Sequence, residues 1–220
     1  MKKTHRKKTK FPKLSPTRQL IAATVLLVIS FGLTKSPAVL DWEISIFQSV
    51  YNQPDFLHGL FFIITQIGSI HALFILLGIY LFLRHYHVVI RIIMSGTLAY
   101  LVSGFAKDIW GRERPNEILL NIVNLDYVVR GPGFPSGHMA LATAMAFTIA
   151  HYVPRKYSWI IFGLLGAVGY SRVYLGVHFP VDILGGFAIG WASYALFRHV
   201  RLYDVRFSKK RRSGKSTSTH

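Results

Sequence analysis

Three short stretches of this 220-residue chain gather side chains able to hold an anion and move a proton. The first is Lys107-Asp108-Ile109-Trp110-Gly111-Arg112-Glu113-Arg114-Pro115. Lys107 and Arg114 are seven positions apart, two helical turns with roughly 10 Å of rise, so both cations share a face and can grip one anion from two sides. The second runs from Gly131 to His138 and opens a helix. There Ser136 suits the N-cap and Gly137 lets a ligand approach the backbone. The free N–H groups at the positive end of the helix dipole suit phosphate. His138, in the first turn, can pass a proton to what binds there. The third runs from Ser171-Arg172 to His178, Pro180 and Asp182. Pro180 fits the first turn of a helix, which puts His178 just before it and Asp182 four residues on. A carboxylate so placed accepts one imidazole N–H and leaves the other ring nitrogen free to attack.

Each stretch alone also has a plainer reading: a basic helix end that snorkels toward head groups, an ordinary capped helix, a histidine satisfied by a local hydrogen bond. The elements that carry them decide the matter. The chain is 51% hydrophobic with a mean hydropathy of +0.36, above the usual level for soluble globular proteins. A bilayer core about 30 Å thick takes around 20 apolar residues of helix. Six spans are expected, at Arg18–Thr34, Ile70–Leu83, Val88–Ala106, His138–Val153, Ser158–Tyr174 and Pro180–Phe197. The fold class is therefore all-α, an integral membrane protein with about six transmembrane helices. Ile44, Phe47, Val50 and Tyr51 keep helical spacing and suggest an amphipathic interfacial helix. Phe56–Ile67 reads as a re-entrant or partly inserted segment.

Orientation follows from the charges. Of 26 Lys and Arg residues, eight lie between Lys2 and Arg18 and eight between Arg198 and Lys215. With the N-terminus inside, both tails, Arg84, Arg91, Arg155 and Lys156 are cytoplasmic, and eight of the nine acids fall outside. All three stretches then share the outer face. The expected organisation is a basic cytoplasmic tail over 1–17, a six-span domain over 18–200 and a second basic tail over 201–220. The net charge of +17 resides mainly in tails that lie against anionic head groups, so no nucleic-acid partner is expected. The start of the chain also resembles a cleavable signal peptide ending near Ala38, but Lys35 and Pro37 make a poor cleavage region, and retention is favoured. The absence of cysteine excludes disulfides and thiolate chemistry.

In this order, Lys-x6-Arg-Pro, Pro-Ser-Gly-His and Ser-Arg-x5-His-x3-Asp, the stretches resemble the signature of the type 2 phosphatidic acid phosphatase superfamily, with no departure at any signature position. The resemblance implies an all-helical, metal-independent enzyme working through a phosphohistidine, with no cofactor. It implies His178 as nucleophile, Asp182 as its orienting partner, and His138 as acid and then base. Lys107, Arg114 and Arg172 would hold phosphate oxygens, helped by Ser136 and the Gly137 N–H. Three cations and helix N–H groups can meet the charge of phosphoryl transfer without a divalent ion. The expected substrate is a phospholipid or prenyl diphosphate in the bilayer; undecaprenyl diphosphate is favoured, with phosphatidylglycerol phosphate, phosphatidic acid and diacylglycerol pyrophosphate as the other fits. The rivals are a phosphotransferase, a vanadium haloperoxidase, whose relatives are soluble, and a non-enzymatic channel, transporter or scaffold that attracts anions. Oligomeric state is not legible in the sequence.

Overall fold

A computed structural model describes residues 14–126 and 131–199; most of both basic tails, and Tyr127 and Arg130, lie outside it. The described residues form helices and no strand. In chain order these are α1 (Pro16–Leu33), α2 (Pro37–Tyr51), α3 (His58–Gln66), α4 (Ile70–Phe82), α5 (Tyr86–Trp110), the single turn α6 (Pro115–Ile118), α7 (Gly137–Tyr152), α8 (Ser158–Tyr174) and α9 (Pro180–His199). The six expected spans coincide with α1, α4, α5, α7, α8 and α9, and α8 begins and ends where the sequence placed it.

Burial is inverted relative to a water-soluble bundle. Ile21, Val28, Phe74, Ile75, Leu101, Phe105 and Trp159 point outward, while Gln19, Ser30, Thr65, Ser95, Thr148 and Ser193 are buried. Inside, Ser95 and Thr148 share a bond of 3.2 Å between α5 and α7, and Ser193 donates to the Ile189 carbonyl at 2.8 Å. A helix bundle with an apolar exterior and polar side chains turned inward is what a lipid solvent selects, and the protein is a membrane protein. Three helical stretches, Pro16–Leu33, Tyr86–Ile118 and Pro180–Arg198, are by themselves long and apolar enough to cross. Asp55–Gln66 and Ile70–Phe82 reach that length only as a pair bent by 52° at the break, the geometry of a broken span or a re-entrant loop. The remaining two, α7 and α8, are shorter at 16 and 17 residues.

The centre of the bundle is α7, packed on α5, α8 and α9 with nearly all of Met139–Ala146 buried. Its contact with α9 is close because Gly186 and Gly190 present no side chain. A Cβ at Gly186 would sit 2.3 Å from the Ser136 carbonyl oxygen, and one at Gly190 would sit 2.3 Å from that of Ala140. This is the small-residue packing of membrane helices. Gly163, Gly166 and Gly169 on α8 predict the same close packing there. Gly169 meets Ile183, but a Cβ at Gly163 or Gly166 would touch nothing within 4 Å, so those two have no packing role.

The interfacial helix expected around Ile44–Tyr51 exists as α2, but its stripe does not simply lie on lipid. Phe47 packs on Phe179 and Val173, and Glu43 on the same side is wholly buried. Trp110, Phe134, Tyr127 and Tyr174 near the motifs predict an interfacial aromatic belt, but the three that are described do not form one. Phe134 and Tyr174 are core, the Tyr174 hydroxyl donates to the Pro54 carbonyl at 2.9 Å, and Trp110 stacks between Phe31 and Phe134.

Candidate active site

Each motif is delivered by the end of a helix. Gly111, at φ 54° in the left-handed region that suits glycine, ends α5 just past Lys107 and turns the chain so that Arg114 comes back toward the bundle. Ser136 caps α7 through its hydroxyl, which accepts the Met139 N–H at 3.4 Å. The third motif spans the end of α8 and the start of α9. The tight α7–α9 seam then joins the second motif to the third, and the Ser136 N–H donates to the Asp182 carbonyl at 3.0 Å.

The result is one cleft of about 440 Å³, lined by Lys107, Arg114, Gly137, His138, Arg172 and His178. Across from these, the break between α3 and α4 contributes Gln66, Gly68, Ser69, Ile70 and His71, α5 contributes Tyr100, and the loop before α7 contributes Asp126. Six of the eight side chains and backbone groups expected at the site share that wall. Ser136 and Asp182 do not line it; both are fully buried behind it.

The cations are held before any ligand arrives. Lys107 donates to the carbonyls of Pro132 at 2.7 Å and Gly133 at 3.3 Å. Arg114 donates to those of Gly131 at 2.7 Å, Val177 at 2.8 Å and Pro132 at 3.1 Å. Part of each donor set is left over for an anion. Arg172 uses Nη1 on Thr65 Oγ1 at 2.8 Å and on Asp126 Oδ2 at 2.5 Å. Its Nε is buried without a partner among the described residues, a costly orphan unless an anion completes it.

His178 lies between α8 and α9, with Nδ1 3.4 Å from Asp182 Oδ2. The same carboxylate oxygen accepts the Phe179 N–H at 2.9 Å, and Oδ1 accepts from Arg112 at 2.6 Å. Burial, and behind it the positive charge of Lys107, Arg114 and Arg172, hold the His178 imidazole well below its ordinary pKa of 6.5. The ring is neutral and can carry a lone pair toward the cations. Chemically, the cleft can bind a phosphate-sized dianion and present an imidazole nitrogen to it, with a second imidazole nearby for protons.

Four residues that hold this arrangement were not singled out from the sequence: Glu43, Thr65, Arg112 and Asp126. Arg112 pairs with both Glu43 and Asp182, whereas Thr65 and Asp126 pair with Arg172. A usable signal existed for Glu43 alone, an acid four residues before Phe47 on the apolar stripe of its helix.

Residues 88–206, more than half of the chain, match the family described as the PAP2 superfamily. An undecaprenyl-diphosphatase of Sulfolobus acidocaldarius is 28% identical over 184 residues, 80% of this chain and 86% of that protein. Phosphatidylglycerophosphatase B of Bacillus subtilis is 39% identical over 36% of this chain and 42% of its own. Among solved structures, LpxE of Aquifex aeolicus has a TM-score of 0.65 at 28% identity, covering 71% of this chain and 94% of that one. A PAP2-type phosphatidylglycerolphosphate phosphatase of Bacillus subtilis has a TM-score of 0.71 at 22% identity, covering 86% and 99%, and shares the fold. Matched by family across the stretch that holds all three motifs, and by a relative across four fifths of its length, the chain belongs to the PAP2 superfamily and is a membrane-bound lipid phosphatase.

Proposed function

We propose that the protein hydrolyses the terminal phosphate of a long-chain lipid diphosphate, undecaprenyl diphosphate before the other candidates, at the outer face of the membrane with both termini in the cytoplasm. The observation that carries the chemistry is the neutral His178 imidazole sharing one cleft with Lys107, Arg114, Arg172 and His138. The substrate choice rests on the undecaprenyl-diphosphatase that aligns over 80% of the chain. The sidedness rests on the distribution of Lys and Arg.

In this reading the lone pair on His178 Nε2 attacks phosphorus in line with the leaving oxygen, forming an N–P bond as the P–O bond breaks. The developing equatorial charge is met by Lys107, Arg114, Arg172 and the Gly137 N–H. With the dianion bound beside it favouring the imidazolium, His138 takes up a proton and gives it to the leaving lipid phosphate. Neutral His138 then takes a proton from water, whose oxygen attacks phosphorus, and the N–P bond breaks to free inorganic phosphate and restore the imidazole. Throughout, Nδ1–H faces Asp182. The part we assign to Ser136 is to cap α7 and so aim Gly137 at the ligand. No step calls for a divalent ion.

The test is phosphate release by the purified protein from undecaprenyl diphosphate, phosphatidylglycerophosphate, phosphatidic acid and diacylglycerol pyrophosphate, beside His178→Ala. Fastest turnover of undecaprenyl diphosphate is expected. A flat zero across the panel ends the hydrolase reading, and preference for a monophosphate moves the substrate. Single cysteines placed near Asp108 and near Arg155, probed with an impermeant thiol reagent on intact cells, report the side.

A further inference from the structure

Behind the wall of the cleft lies a set of charges that meets the cleft-lining residues through Asp182, at His178. Glu43 from α2, Arg112 from the turn after α5 and Asp182 from α9 are linked through one guanidinium. Arg112 Nη2 donates to Glu43 Oε2, and Nη1 spans Glu43 Oε1 at 3.4 Å and Asp182 Oδ1 at 2.6 Å. Glu43 Oε1 also accepts the Val181 N–H at 2.7 Å, which ties α2 directly to the first turn of α9. The Arg112 guanidinium lies over the Phe179 ring at 5.1 Å. Glu43 and Asp182 have no exposed side-chain surface. None of the three lines the cleft, so none is placed to hold phosphate.

Removing three charges from water is expensive, and a mere brace between helices is built more cheaply from apolar side chains. The charge count suggests what this set does. Two carboxylates against one guanidinium leave a net charge of minus one, and Asp182 Oδ2 is the oxygen turned to His178. Arg112 alone would fix Asp182 in place but would also cancel its charge. Glu43 engages the same guanidinium and restores the excess.

We infer that Glu43 and Arg112 are positioning residues for the nucleophile: Arg112 orients the Asp182 carboxylate, and Glu43 offsets the charge of Arg112 so that Asp182 keeps its own for the imidazole. This rests on His178 acting as the nucleophile. When Nε2 bonds to phosphorus the ring becomes cationic, and its Nδ1–H is then shared with Asp182. A negative set on that side favours the transition state leading to the phosphohistidine and leaves the binding of the dianion, on the opposite side of the ring, unchanged.

The experiment compares wild type, Glu43→Gln and the double variant Glu43→Gln/Arg112→Met, using the full chain in lipid nanodiscs. Three quantities are read: kcat on the best substrate of the panel, inhibition by the product, inorganic phosphate, and thermal melting. Glu43→Gln is expected to lower kcat on the order of 10- to 100-fold, with phosphate inhibition within about twofold of wild type, the uniform-binding control. Removing Arg112 as well is expected to recover at least about threefold of kcat, because Asp182 is then no longer cancelled. A purely mechanical brace predicts the reverse, a further loss. Wild-type kcat in Glu43→Gln overturns the inference, as does a parallel loss of kcat and phosphate binding, or no recovery in the double variant. Should Glu43→Gln fail to fold, Arg112→Lys is read instead, with the same split expected and weakened phosphate binding as the contrary result. Turnover by His178→Ala would remove the underlying reading; an inert His178→Ala beside a fully active Glu43→Gln removes only this inference.

Discussion

Thr65 and Arg172, 107 positions apart, share a buried hydrogen bond of 2.8 Å from Nη1 to Oγ1. It runs from α8 to the end of α3, next to the break that forms the far wall of the cleft. The guanidinium is thus held from behind, with its unpaired Nε left for the ligand. A hydrogen bond to a charged group contributes about 1.5–3 kcal/mol. Thr65→Val keeps the shape and removes the acceptor. Orthovanadate inhibition should weaken by about 5- to 50-fold while melting changes little, and unaltered inhibition would mean that Asp126 alone suffices to place Arg172.

His178→Ala should abolish hydrolysis in a protein that still folds. Asp182→Asn should retain substrate affinity and lose about 10²–10⁴-fold in kcat, since an amide leaves the imidazole without its carboxylate. Phosphate label that stays on the protein after a rapid alkaline quench and is released by acid reports the N–P bond of the first step. Label on wild type that is absent from His178→Ala is the expected pattern.

The depressed pKa of His178 makes stability depend on pH in a definite direction. Because the folded form resists protonation and the unfolded form titrates normally, this residue costs nothing above about pH 6.5 and costs progressively more as pH falls below it. The slope approaches about 1.4 kcal/mol per pH unit. Melting curves between pH 5 and pH 8 should show that loss in wild type and a shallower one in His178→Gln. With its pKa held below the ordinary value, the proposed nucleophile should give kcat/KM no acid limb near pH 6.5.

Gly190 and Gly163 offer a matched pair. A Val side chain at Gly190 meets the Ala140 carbonyl, part of the α7 backbone, at a distance no rotamer can relieve. That should cost about 3 kcal/mol or more and lower activity, because the α7–α9 seam aligns the motifs. Gly163→Val has open space around it and should melt within a degree or two of wild type.

The contrast between these two glycines marks what a sequence can disclose. Bilayer-length apolar runs are legible because each helix must satisfy its own backbone, whatever its neighbours do. The motif residues were legible because helix ends on one face bring them together, and six of them do line one cleft. Which way a glycine faces is set by tertiary packing, so Gly163, Gly166 and Gly169 looked alike. The same holds for Arg112, whose partner Glu43 is 69 positions away on a helix that periodicity assigned to the interface. Ser136 was legible as a cap, but its retreat behind the wall follows from the Asp182 carbonyl claiming its N–H.

Ile70 and Tyr100 line the cleft and are also exposed on the apolar flank of the bundle, where α3 breaks into α4 at 52°. The mouth therefore opens sideways as well as along the helices. A headgroup can slip in laterally while its hydrocarbon tail stays dissolved among neighbouring lipids, and no amphiphile has to be hauled into water to be dephosphorylated. Encounter in such a protein is a search within the membrane plane and depends on how much substrate its own leaflet holds.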